Sequence, residues 1–136
     1  MNLPFAVLDI DHVVLRAQDP AALEQFYTEV LGCPLDLRQK HIQLTQLRAG
    51  RAQIDIVPAM ASDSEAASQA VRDPNMEHFC LRIDPFDATA IRRHLDSHGI
   101  AYSEVHDRYG ADGRGPSIYL EDPEGNRIEL KGPPSR

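Results

Sequence analysis

Apolar and polar residues alternate over Leu8–Arg16, L-D-I-D-H-V-V-L-R. The pattern predicts a strand with Val13 and Leu15 on one face and Ile10, His12, Val14 and Arg16 on the other. The period then changes. Leu23, Phe26, Tyr27, Val30 and Leu31 recur at i, i+3, i+4, i+7 and i+8, the spacing of one helix face. Asp19-Pro20 supplies an N-cap and a proline at the first helical position, and Gly32 supplies a stop. Alternation returns around Leu35–Arg38, Ile42–Leu47 and Gln53–Val57, with Ala49-Gly50 at the last turn. Together these elements make a β-α-β-β-β module over about residues 8–57.

Residues 58–75, rich in Ala, Ser and Asp, read as a linker with room for a short helix over Ser64–Val71. The first pattern then returns. Met76-Glu77-His78-Phe79-Cys80-Leu81-Arg82 matches Ile10-Asp11-His12-Val13-Val14-Leu15-Arg16 in register, with the acidic residue, His, Leu and Arg all aligned. A helix starting near Asp84-Pro85 or at Asp87 carries Ile91 and Leu95 and stops at Gly99. Strands over Tyr102–Val105, Ser117–Glu121 and Arg127–Lys131 complete a second module over about residues 76–132.

The last two strands flank Asp122-Pro123-Glu124-Gly125-Asn126, where Pro sets one turn dihedral and Gly and Asn supply positive φ. Ile118, Leu120, Ile128 and Leu130 fall on one face of this hairpin. Ser117, Tyr119, Glu121, Arg127, Glu129 and Lys131 fall on the other. The expected fold is α+β: one domain over residues 1–136, built of two tandem modules whose strands curl into an open mixed barrel around a metal or ligand cavity.

Composition narrows the function. With 14 basic and 21 acidic residues among 136, the net charge is −7. No basic stripe interrupts that balance, which argues against nucleic acid or an anionic membrane as partner. No apolar run approaches the roughly 18 residues of a membrane span, and the N-terminus lacks the pattern of a signal peptide. A cytoplasmic location is expected. Cys33 and Cys80 lack metal-type spacing and read as reduced packing residues.

The repeat also pairs candidate site residues. His12 corresponds to His78, each on the first strand of its module. Asp55, between Ile54 and Ile56, corresponds to Glu129, between Ile128 and Leu130. Two imidazoles and one or two carboxylates make a site for one divalent metal ion. Two His and one carboxylate suit non-haem Fe, and a second carboxylate equally suits Zn, Ni, Co or Mn. His12, His78 and Glu129 are the expected ligands, with Asp55 as a fourth ligand or a general base. The glycine-rich segment Arg108–Pro116 reads as a mobile connection, or as a lid that brings Arg108 or Arg114 to an anionic group. Tyr119 shares the face of Glu129 and is placed to donate a hydrogen bond. His41, His94, His98 and His106 have no partner in the repeat and are expected at the surface.

Four stretches resemble the vicinal oxygen chelate superfamily, the glyoxalase, bleomycin-resistance and extradiol-dioxygenase group. They are Ile10–Leu15, Phe26-Tyr27 with Val30-Leu31-Gly32, Glu77–Leu81 and Asp122–Leu130. The resemblance covers about Leu8 to Lys131. It implies a metal-dependent enzyme that chelates neighbouring oxygens of a small-molecule substrate, as a glyoxalase-like lyase or isomerase or a dioxygenase. The alternative is a metal-free drug-binding protein of the bleomycin-resistance type. It also implies a homodimer, because short members complete their barrels by pairing modules across chains. Asp55 stands where glyoxalase I-like members carry Glu. The catalytic His of extradiol dioxygenases would fall near Gly110. The chain ends soon after Glu129, unlike fosfomycin-resistance enzymes. No subfamily pattern is matched throughout.

Overall fold

Each alternating stretch becomes a strand because its apolar side chains reach one shared core while its polar side chains stay on the opposite face. In the computed structural model, which describes residue 4, residues 6–59 and residues 75–135, the first module contains β1 (His12–Ala17), α1 (Pro20–Gln25), β2 (Leu35–Gln39), β3 (Leu44–Ala49) and β4 (Ala52–Pro58). The helix continues as a wider π-turn over Phe26–Val30. The second module contains β5 (Phe79–Arg82), α2 (Ala88–Ser97), β6 (His106–Gly110), β7 (Gly113–Glu121) and β8 (Arg127–Lys131). The short helix expected over Ser64–Val71 lies outside the described residues.

The two sheets share one topology. Their orders are β1-β4-β3-β2 and β5-β8-β7-β6, with the first strand parallel to the last and the remaining pairs antiparallel. The fold is α+β as expected. The sheets are not closed into a barrel: among the described residues no strand of one sheet pairs with a strand of the other. β1 and β5 are therefore edges. This shortens both expected strands at their N-terminal ends, because β1 has only β4 as a ladder partner and its register begins at His12 opposite Gln53. Val7, Leu8 and Ile10 lie before it, 83%, 87% and 76% exposed.

Asp19 and Asp87 cap the helices, each through a carboxylate oxygen 3.1 Å from the amide N–H three residues on. Asp87, not Asp84, starts α2. One core joins the modules, including Leu23, Phe26, Leu47, Ile54 and Ile56 from the first and Leu95, Ile118, Leu120, Ile128 and Leu130 from the second. The helix of module one also meets the β7–β8 turn. Tyr27 donates its hydroxyl to Asp122 at 2.7 Å in a buried contact, and the Gln18 amide donates to Glu124 at 2.6 Å. Asp122 organises the turn itself, accepting the Glu124 and Asn126 amides at 2.9 Å and the Asn126 side chain at 2.7 Å. Gly125 alone in that turn takes a positive φ, +83°. Asn126 serves as a donor instead.

The segment expected as a loop or lid is a strand hairpin. β6 and β7 pair from His106–Ser117 to Gly110–Gly113, turning at Ala111-Asp112. Glycines weaken a strand signal in the sequence, but here they make room for a neighbour: a Cβ on Gly110 would come within 2.7 Å of Lys131 Cε. The strand expected over Tyr102–Val105 reduces to one bridge between Tyr102 and Leu120.

Candidate active site

The polar faces of the two sheets carry equivalent pairs. In module one His12 and Asp55 lie on adjacent parallel strands, offset by two residues, since His12 is opposite Gln53. His78 and Glu129 repeat the relation, with Cys80 opposite Glu129 as Val14 is opposite Asp55. Side chains two residues apart on a strand share a face. The repeat therefore delivers one imidazole and one carboxylate to the open face of each sheet.

In the second module the pair touches. His78 Nε2 lies 3.2 Å from Glu129 Oε1. Two donor atoms about 2.1 Å from one ion, at octahedral or tetrahedral angles, lie about 3.0–3.4 Å apart. The pair thus has the spacing of two ligands on one cation. Its other imidazole nitrogen, Nδ1, donates to the Glu77 carboxylate. His12 has the same arrangement, with Nδ1 2.7 Å from Asp11. A carboxylate on Nδ1 fixes the tautomer and leaves Nε2 as the coordinating atom, the usual support for a metal-ligating histidine. The hydrogen bond His12 donates to Asp11, ahead of the nearby Asp55 and Asp11 charges, holds its imidazole above the ordinary pKa. The sequence repeat displayed both acidic residues, but their role is visible only in the contact.

Asp55 is 3% exposed, and its Oδ1 is buried with no hydrogen-bond partner, while Oδ2 accepts from Gln46 at a long 3.4 Å. An orphaned buried carboxylate oxygen is costly unless a proton or cation meets it. The donor set fits half a metal centre in each module. Among the described residues, no three His, Cys, Asp or Glu side chains converge to hold an ion. The expected four-ligand cluster is thus divided between two sheets.

Around His78 the site is more enclosed. Tyr119 lies opposite Glu129 in register and meets the His78 ring edge to face, with centroids 5.1 Å apart. Burial first, then the Glu129 charge, pushes the Tyr119 phenol above its ordinary pKa. Two guanidiniums cover the Tyr119 ring, Arg127 at 4.0 Å and Arg108 at 4.5 Å from its centroid. Arg127 also pairs with Glu77. Arg114 lies on the opposite face of the hairpin, over Tyr109 and bonded to Asp107, so of the two arginines expected from this segment Arg108 is the one at the site. Arg127, Ser117 and Lys131 join this face without having been singled out beforehand, although the alternation of the strands already grouped them with Glu129.

The remaining histidines are exposed as expected, though His94 Nε2 also bonds the Val30 carbonyl at 2.7 Å and ties α2 to module one. Both cysteines are free, and Cys33 is buried. Cys80 is not a packing residue. It is exposed on the site face, where partial desolvation of its thiol by the neighbouring side chains and the Glu129 charge push its pKa up to about 11.

Comparison with known proteins agrees with this architecture. A family model described as the glyoxalase/bleomycin resistance protein/dioxygenase superfamily matches residues 9–130. A virulence protein from Salmonella typhimurium superposes with a TM-score of 0.73 at 25% identity, covering 95% of this chain and 99% of its own. A lactoylglutathione lyase from Agrobacterium tumefaciens gives 0.65 at 23%, covering 93% and 95%. An antibiotic binding protein from a Streptomyces species gives 0.68 at 21%, covering 95% and 98%.

Proposed function

The chain belongs to the glyoxalase/bleomycin resistance protein/dioxygenase superfamily, and from that premise we propose that it is a divalent-metal-dependent enzyme working as a homodimer. In this reading each site takes His12 and Asp55 from one copy and His78 and Glu129 from the other. The observation that carries it is the duplicated half-site: in both modules an acidic neighbour holds Nδ1 of a histidine set two residues in register from a carboxylate on the adjacent strand, and in the second module Nε2 meets that carboxylate. The unpaired edges of β1 and β5 and the exposed Val7, Leu8, Ile10, Val14 and Met76 support a second copy as the completing surface.

A bound divalent ion, Zn, Ni, Co, Mn or Fe, would supply a Lewis acid that stabilises negative charge developing on two neighbouring oxygens of a small substrate. The chain's own residues do the rest. Asp55 or Glu129 takes a proton next to the reacting carbonyl, the lyase or isomerase route. Tyr119 donates a hydrogen bond to the developing charge, and Arg108 adds a positive field from above the Tyr119 ring. A dioxygenase would use the same ligands with Fe.

The second reading, a metal-free binding protein, is favoured by the antibiotic-binding neighbour and by the divided ligand set. Elemental analysis of the purified protein separates the two. About one metal ion per chain is expected, and metal-free protein that gains no activity with any of these ions would discard the enzyme. On a substrate found by screening, Tyr119→Phe and Arg108→Ala are each expected to slow single turnover by about 2–4 kcal/mol in the barrier. Metal content should stay unchanged. Rates within about twofold of the parent would remove both residues from the transition state.

A further inference from the structure

The polar face of the second sheet holds two cations that no carboxylate answers. Lys131 follows Glu129 by two residues on β8 and shares its face, opposite Ser117 on β7 and Arg82 on β5. Only 6% of Lys131 is exposed. Its stem runs across β7 towards β6 over a track without side chains. A Cβ on Gly110 would lie 2.7 Å from its Cε, and one on Gly115 would lie 3.0 Å from its Nζ. The ammonium rests over Gly115, whose register partner is Arg108. Among the described residues no hydrogen bond or ion pair engages it.

Arg108 is on the same face, opposite Gly115 in register. Its Nη1 donates to Ser117 Oγ at 2.7 Å, Ser117 is fully buried, and no described carboxylate pairs with the guanidinium. The other cations of this face are answered, Arg82 by Asp112 at 2.6 Å and Arg127 by Glu77. In a chain of net charge −7 there is no shortage of carboxylates, yet the one nearest in register on this face, Glu129, is engaged with His78 instead. The Lys131 stem is buried while its unpaired ammonium keeps access to solvent, so an anion arriving on this face meets two positive charges that no carboxylate has neutralised. Gly110 serves the same end, because a side chain there would displace the lysine, whereas one at Gly115 would first meet the Pro133 carbonyl at 2.7 Å.

We propose that Lys131, Arg108 and the Ser117 hydroxyl form a subsite for the oxyanion end, a carboxylate or a phosphoryl group, of the small molecule whose other end meets His78 and Glu129. The subsite rests on the reading of His78–Glu129 as a substrate-facing pair, but its anion binding needs no metal and can be measured without one. Two donors of different shape select the ligand. The ammonium offers a point charge, and the guanidinium, already held by Ser117, offers its remaining N–H groups to a planar or tetrahedral oxyanion.

The test is titration of chelator-treated protein with inorganic phosphate and, separately, with acetate, at constant ionic strength, followed by the shift of amide resonances. Saturable binding of at least one anion is expected in the parent. Lys131→Met, which keeps the packed stem and removes the charge, should weaken it at least tenfold, and Arg108→Gln should do the same. Gly110→Ala, which pushes the lysine aside without changing any charge, should weaken it several-fold. Arg114→Gln on the far face should bind as the parent does. Tighter phosphate than acetate marks a phosphoryl ligand, and the reverse a carboxylate. If the parent saturates with neither anion, or Lys131→Met and Arg108→Gln bind as the parent does, the subsite is wrong. Metal content is measured on the same preparations before the chelator is added. Loss of the anion effect with metal retained would overturn the subsite alone. An intact anion effect in protein that never takes up metal would overturn the metal reading alone.

Discussion

His12→Ala and His78→Ala should each lose the bound metal, and mixing the two variants should restore it to about a quarter of the sites. The loss follows from coordination number. Each variant removes one of four donors whose Nδ1 support and carboxylate partner are wasted without it. Folding should survive, because the His12 and His78 side chains are 46% and 28% exposed on the open faces. The restoration follows from symmetry. If each site joins module one of one copy to module two of the other, a mixed dimer contains one doubly broken site and one intact site. Random exchange makes about half of the dimers mixed, so about one site in four recovers. Elemental analysis after co-refolding reads the outcome. Metal still absent after mixing would place all four ligands in one chain. Full metal in either variant alone would remove that histidine from the ligand set.

Asp122→Ala should destabilise the protein more than any change at the open faces, by about 3 kcal/mol. Its carboxylate accepts from the Tyr27 hydroxyl, the Glu124 and Asn126 amides and the Asn126 side chain. Truncation strands the Tyr27 hydroxyl, which belongs to a fully buried side chain, and loosens the turn that meets α1. Asp122→Asn should cost less, since it keeps a carbonyl acceptor.

The sign of the pH effect separates charge from hydrogen bonding. Burial, against the opposing hydrogen bonds, raises the Asp122 pKa above its ordinary value. An acid raised on folding penalises the folded state once ionised. The penalty is absent below the unfolded value and grows as pH rises through the folded one. Lowering the pH through that window should therefore stabilise the parent relative to Asp122→Asn. Urea denaturation of the three proteins across the carboxylate range measures it. An Asp122→Ala protein as stable as the parent would show that the turn closes without this carboxylate.

The duplicated pattern Ile10–Arg16 and Met76–Arg82 is legible because strand alternation and helix spacing are local properties of the chain. It correctly predicted the α+β fold, both helix faces and the core residues Ile118, Leu120, Ile128 and Leu130, although it put one strand of the second module at Tyr102–Val105 instead of His106–Gly110. It also placed His12 with Asp55 and His78 with Glu129, since register within a module is set by the same alternation. What failed were inferences about neighbours. The segment Arg108–Pro116 looks like a loop when read by its glycines alone, and its strand pairing becomes intelligible only with Lys131 lying across it.

The choice of Arg108 over Arg114, the place of Cys80 on the site face, and the clasp of Tyr27 on Asp122 are of the same kind. Each depends on which residues distant in the chain arrive on the same face, and sequence period carries no record of that. The separation of the two half-sites is the largest such decision. Alternation determines which side chains leave the core together, but only the packing of the helices and the β7–β8 turn decides where each open face points. That packing leaves His12 with Asp55 on one sheet and His78 with Glu129 on the other.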